Sequence, residues 1–218
     1  MPTQTARVSF MMSGPAFDVS IPPGLDPSPQ AESPLRLPAG GRACWFEPLG
    51  QGRPTYATSD FDPGYETQGK PELTVWVHHR HAEPEHWFLD WHLPGGTMRT
   101  HVRDEDGEGM VAVVASNLEI AAVDDLLPTL VPHSPLGRAV SRAPGYQETI
   151  MFVDSHSSPK RMLEIARPGG ARTSMRTVGN VSTLGTRIGI DLRGVDIEPA
   201  DLLHIREELE GQLLPAGA

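Results

Sequence analysis

The chain has 218 residues, a formal net charge of −10, 38% apolar side chains, 22 glycines, 22 prolines and one cysteine. Its acidity argues against a nucleic-acid backbone or an anionic membrane as partner. A lone cysteine excludes an internal disulfide framework and fits a reducing, cytoplasmic setting, and no apolar run is long enough to span a bilayer.

Residues 1–72 are expected to form a strand- and loop-rich N-terminal region. Arg7 to Met12 and Phe17 to Ile21 read as short strands separated by Ser13-Gly14-Pro15, and Val8 to Met12 is too short for a secretory signal. Pro22-Pro23 ends the second strand, because proline cannot donate to a ladder. Leu25 to Gly41 is rich in Pro, Ser, Gly and Ala and reads as loop. Arg42 to Glu47, carrying Cys44 and Trp45, reads as a strand, and residues 48–72 as turns. The region would serve as an extra sheet layer or as an arm wrapping a neighbour.

After residue 72 the chain repeats a pattern. Thr74-Val75-Trp76-Val77 is echoed by Thr149-Ile150-Met151-Phe152, and Leu89-Asp90-Trp91 by Leu163-Glu164-Ile165. Pro94-Gly95-Gly96 matches Pro168-Gly169-Gly170, Met98-Arg99-Thr100 matches Met175-Arg176-Thr177, and Asp125-Leu126-Leu127 matches Asp201-Leu202-Leu203. The offsets drift only between 74 and 77 residues. Repeats of this kind predict a duplicated architecture. The expected fold is α+β: an internally duplicated unit of about four antiparallel strands followed by a helix. The two copies, 73–143 and 144–218, would pack with pseudo-two-fold symmetry, each shielding the other's uncovered sheet face.

In the first copy the expected strands are Leu73 to His79, Trp87 to Leu93, Thr97 to Arg103 and Met110 to Ala115, followed by a short helix from Leu126. Alternation puts Trp87, Leu89, Trp91 and Leu93 on one face and Phe88, Asp90 and His92 on the other. In the second copy they are Glu148 to Val153, Met162 to Arg167, Thr173 to Val178 and Thr186 to Leu192. A helix then runs from Glu198-Pro199 to about Leu214, with Leu202, Ile205, Leu209 and Leu213 as its apolar stripe lying on its own sheet.

Five of the nine histidines fall between residues 78 and 92. His79-Arg80-His81 followed by Glu85 resembles the His-x-His-x3-Glu spacing of the cupin metal motif. The resemblance covers seven residues and implies a divalent metal held by His79, His81 and Glu85, in an enzyme or a small-molecule binder. The competing account is a solvated hairpin tip. The second copy places Asp154, His156 and Lys160 at those positions, so a metal site would belong to one copy only.

Arg99 and Arg176 are equivalent in the two copies and could together hold an anion or a carboxylate. Alternatively each pairs with a carboxylate on the neighbouring strand, Asp90 or Glu164. Cys44 reads as a buried structural thiol, and neither a nucleophile elbow nor a phosphate or dinucleotide loop is present. Trp87 and Trp91 are expected in the core; Trp76 and Phe88 are the candidate interface aromatics. The function expected is therefore that of a non-catalytic, cofactor-free binding or assembly protein. It would engage a protein partner or its own copies through Trp76, Phe88, Arg99 and Arg176.

Overall fold

The computed structural model describes residues 4–11, 16–33, 44–48, 62, 64–70, 73–103, 109–121, 127–133, 147–154, 156, 161–168, 180–184, 188–193, 195 and 198–213. In chain order the elements are β1 (Gln4–Val8), β2 (Phe17–Ile21), β3 (Gln30–Ser33), β4 (Cys44–Pro48), β5 (Tyr65–Gln68), β6 (Thr74–His79), β7 (His86–Leu93) and β8 (Gly96–Arg103). They continue with α1 (Gly109–Asn117), β9 (Leu118–Ala121), β10 (Thr129–Pro132), β11 (Gln147–Asp154), β12 (Arg161–Pro168), β13 (Asn180–Leu184), β14 (Ile188–Arg193) and α2 (Pro199–Leu213). The protein is mostly β, with two helices among the described residues.

Two compact units emerge: residues 1–31, 124–127 and 144–218 form unit 1, and residues 32–123 and 128–143 form unit 2. In unit 1, β1 and β2 make an antiparallel hairpin. A separate antiparallel run takes the order β11-β12-β14-β13. Buried in unit 1 are Phe17, Val19 and Ile21 of β2, Ile150 and Phe152 of β11, Leu163 and Ile165 of β12, and Ile190 of β14. Helix α2 packs chiefly on β2, with a lesser contact to β13. Ile205 and Leu209, four residues apart on one helical face, are buried there. The side chains of Leu202 and Leu213 lie outside the described set. The polar edge of α2 straps the hairpin: Gln212 accepts from the Asp18 amide at 2.7 Å and donates to its carbonyl at 2.9 Å, while Ser20 donates to Glu208 at 2.7 Å.

In unit 2 the antiparallel order is β4-β8-β7-β6-β5. The register places Cys44, Phe46, Met98, Thr100, Val102, Trp87, Leu89, Trp91, Val75 and Val77 on one face. All ten are buried. Helix α1 packs against β5 and β7 and adds Val111, Val114 and Ala115 to the core. The glycine turn Pro94-Gly95 closes the β7–β8 hairpin, whose end pair is Leu93 with Gly96. Gly96 has no room for a side chain, because a Cβ there would meet the Phe46 ring at 2.5 Å and the Glu47 carbonyl. Strands β9 and β10 form a small antiparallel ribbon.

The expected duplication fails, and the differences are specific. The first hairpins do share a register: Trp76 faces Asp90 as Met151 faces Glu164. Beyond them the connectivity parts. Strand β7 takes the Met98-Arg99-Thr100 strand as its next neighbour, whereas β12 takes β14. Met110 to Ala115, expected as a strand, is the helix α1, while the matching stretch of the second half is strand β14. The helix expected from Leu126 is absent from 127 onward: Leu127 and Pro128 are irregular and Thr129–Pro132 is strand β10. Helix α2 covers β2 more than its own sheet. Two likenesses in sequence therefore do not amount to two copies of a sheet-and-helix unit. Strand β3 lies inside a stretch expected to be loop, and β5 inside one expected to be turns. Thr173 to Val178 lies outside the described residues.

Candidate binding surface of unit 2

The second face of the unit 2 sheet carries Trp45 and Glu47 on β4, Arg99 and His101 on β8, His86, Phe88 and Asp90 on β7, Trp76 and His78 on β6, and Glu66 on β5. At its centre Asp90 and Arg99, directly opposite on neighbouring strands, make a two-point contact; the Arg99 Nε to Asp90 Oδ1 distance is 2.5 Å. Asp90 is 5% and Arg99 3% exposed. Two parallel N–H to carboxylate bonds are the preferred geometry of guanidinium with carboxylate. His78 Nε2 lies 3.3 Å from the second Asp90 oxygen.

Burial pushes the Asp90 carboxyl above the usual carboxylate range, against the opposing effect of the His78 hydrogen bond and the His78 and His92 charges. Burial also brings Arg99 down to about 9, with Glu47 acting the other way. Both shifts express the cost of removing charge from water, which the two partners offset for each other.

Aromatic rings close over this pair. Arg99 lies 5.9 Å from the ring centroids of both Trp45 and Phe88. Phe88 is stacked between His78, at 5.7 Å, and His101, at 4.9 Å, and His101 Nε2 is 2.9 Å from His86 Nδ1. On the opposite face Cys44 Sγ receives a hydrogen bond from Thr100 at 3.1 Å, and burial pushes the thiol up to about 12. A thiol held that far from its thiolate is structural rather than nucleophilic.

The expected metal residues do not converge. His79 Nε2 and His81 Nδ1 bond the two oxygens of Asp62, at 2.7 and 2.6 Å. Glu85 instead lies beside His86 at 3.8 Å and Arg103 at 4.0 Å. Side chains two apart on a strand share a face, but His81 is already past the end of β6, and the turn carries Glu85 away. Among the described residues no group of three or more His, Cys, Asp or Glu side chains is arranged to hold a metal ion. The His-x-His pair has another use: it grips Asp62 just ahead of β5, where the Asp62 amide also donates to the His79 carbonyl at 3.0 Å. Gly64 follows, packed so closely that a Cβ would meet the Trp76 Nε1 at 2.8 Å and the Val77 carbonyl.

Of the four residues expected at an interface, Trp76 is exposed, at 36%, while Phe88 is buried at 7% and Arg99 is committed to Asp90. Arg176 lies outside the described residues. Tyr65, 39% exposed on β5, was not anticipated; it sits in a short polar run, Tyr65-Glu66-Thr67-Gln68, with no apolar alternation to mark a strand. Trp76 and Glu66 face each other across β5 and β6. No family model, no curated protein and no solved structure matches this chain.

Proposed function

We propose that this chain is a non-catalytic protein-binding or assembly protein that engages its partner over the sheet edge of unit 2 around β5, in a cytoplasmic setting that suits its one buried thiol. One observation carries this. Among the described residues of unit 2 the exposed large apolar side chains are Tyr65 and Trp76, and they sit on the edge strand and its neighbour. Rigid aromatics beside an exposed strand edge supply contact area at low entropic cost, next to unpaired backbone groups. The pinning of Asp62 by His79 and His81 holds that edge in place. At the centre of the same sheet face Asp90 is bonded to Arg99 and lies beside His78.

The test compares proteins co-isolated with the wild-type chain and with the Tyr65→Ser/Trp76→Ser double variant, by quantitative mass spectrometry alongside size-exclusion light scattering. The proposal expects the variant to stay folded by near-UV circular dichroism and to lose roughly tenfold of its partner, whether another protein or a second copy. Equal recovery by the two proteins refutes it.

A further inference from the structure

Strand β5 has one side turned away from β6, and the hydrogen-bond parity shows which residues present it. The Gly69 amide donates to the Leu73 carbonyl at 2.8 Å, which makes that pair a hydrogen-bonded one. In an antiparallel ladder such pairs alternate. In the register of Thr67 with Val75 and Tyr65 with Val77, the odd-numbered residues of β5 therefore bond β6. The even-numbered ones, Glu66 and Gln68, aim their N–H and C=O groups outward. Lys70 confirms this parity: its carbonyl, on the outward side, receives the Ile120 amide of β9 at 3.4 Å, and Lys70 bridges Glu119 in parallel fashion. The edge therefore already accepts one strand just past β5, and Glu66 and Gln68 are exposed beside it.

We infer that a partner protein supplies an extended, basic segment that adds to β5 as a further strand, hydrogen-bonded to the outward groups of Glu66 and Gln68. This rests on the proposal that the surface around β5 binds protein. Among the described residues no strand pairs with the outward side of Tyr65–Gln68; strand addition would satisfy the polar backbone groups there, and side chains then choose the sequence. A residue opposite Glu66 shares its face with Glu66 and the exposed Trp76 indole. A carboxylate beside an aromatic ring favours Arg or Lys at that place. The chain's net charge of −10 acts in the same sense by attracting a basic segment. It also disfavours a second copy, because pairing β5 with itself brings like charges near Glu66.

The probe is a capped heptapeptide of alternating Thr and Val with Arg at its centre, compared with its Glu-centred counterpart and followed by amide exchange and chemical shifts of the full-length chain. The Arg peptide should protect the Glu66 and Gln68 amides and bind roughly fivefold tighter than the Glu peptide. Gln68→Pro, which deletes an outward amide while leaving the β6 ladder whole, should weaken binding by roughly tenfold with an unchanged near-UV spectrum. Glu66→Lys should invert the charge preference. If the peptides leave those amides unprotected while the Tyr65→Ser/Trp76→Ser variant still loses its partner, strand addition is overturned and the binding surface survives. If that variant also keeps its partner, both fall. Concentration-dependent protection without peptide makes a second copy the occupant and overturns the basic-segment assignment.

Discussion

Replacing Arg99 by Met strands a carboxylate. Asp90 is 5% exposed, and with the guanidinium gone the His78 ring, at 3.3 Å, is left beside it. Breaking a buried ion pair by removing one partner costs about 3–5 kcal/mol, because the survivor stays buried and uncompensated. Replacing both by apolar residues, as in Asp90→Leu/Arg99→Met, removes the stranded charge and should cost far less than the sum of the single changes. The coupling between the two positions is then about 3 kcal/mol in a double-mutant cycle. Urea denaturation followed by tryptophan fluorescence measures it, since the Trp45 ring lies 5.9 Å from Arg99. The pH dependence supplies a second signature. Burial already raises the Asp90 carboxyl above its unfolded value, so in Arg99→Met the folded state is favoured where that carboxyl is protonated. Stability lost at neutral pH should return as pH falls through the raised value. Additive single changes, or a cost in Arg99→Met that does not shrink on acidification, would refute the account of this pair.

Three further outcomes are expected. Cys44 should resist thiol reagents in the native state, and its contribution to stability should be lost as pH rises from 9.0 towards about 12. The folded thiol binds its proton over a window where the unfolded one does not; Cys44→Ala should flatten alkaline denaturation by up to about 4 kcal/mol across it. Gly96→Ala drives a methyl into Phe46 and the Glu47 carbonyl, so it should destabilise by about 1–3 kcal/mol in chemical denaturation. Leu209→Ala empties a fully buried site where α2 meets the β1–β2 hairpin and should cost about 2–5 kcal/mol, read as a lowered midpoint and earlier exchange of the α2 amides.

The parts of the fold legible in sequence are those whose period is strict. Alternation along Trp87 to Leu93 and Thr97 to Arg103 anticipates β7 and β8 almost to the residue, and with them the burial of Trp87 and Trp91. Ile205 and Leu209 at helical spacing behind Pro199 anticipate α2. Met110 to Ala115 was not legible, because a short run apolar on every side has no period to distinguish strand from helix. The resemblance between the two halves misled for a related reason. It was built from hairpin pieces, and a hairpin pattern fixes cross-strand register without fixing which strand comes next. At the site, the Asp90–Arg99 pair follows from two charges on facing strands. The role of His79 and His81 could not be read, since their partner Asp62 sits seventeen residues before His79, on the far side of β5.

The bond from Ile120 to the Lys70 carbonyl has a consequence for what any guest can look like. It acts as an end-stop: β9 already fills the row at Lys70, so an incoming chain must finish or swerve by Gln68. A segment docked there, as proposed, would be confined to a few residues, and its selectivity would come from the side chains around Glu66 rather than from a long backbone match.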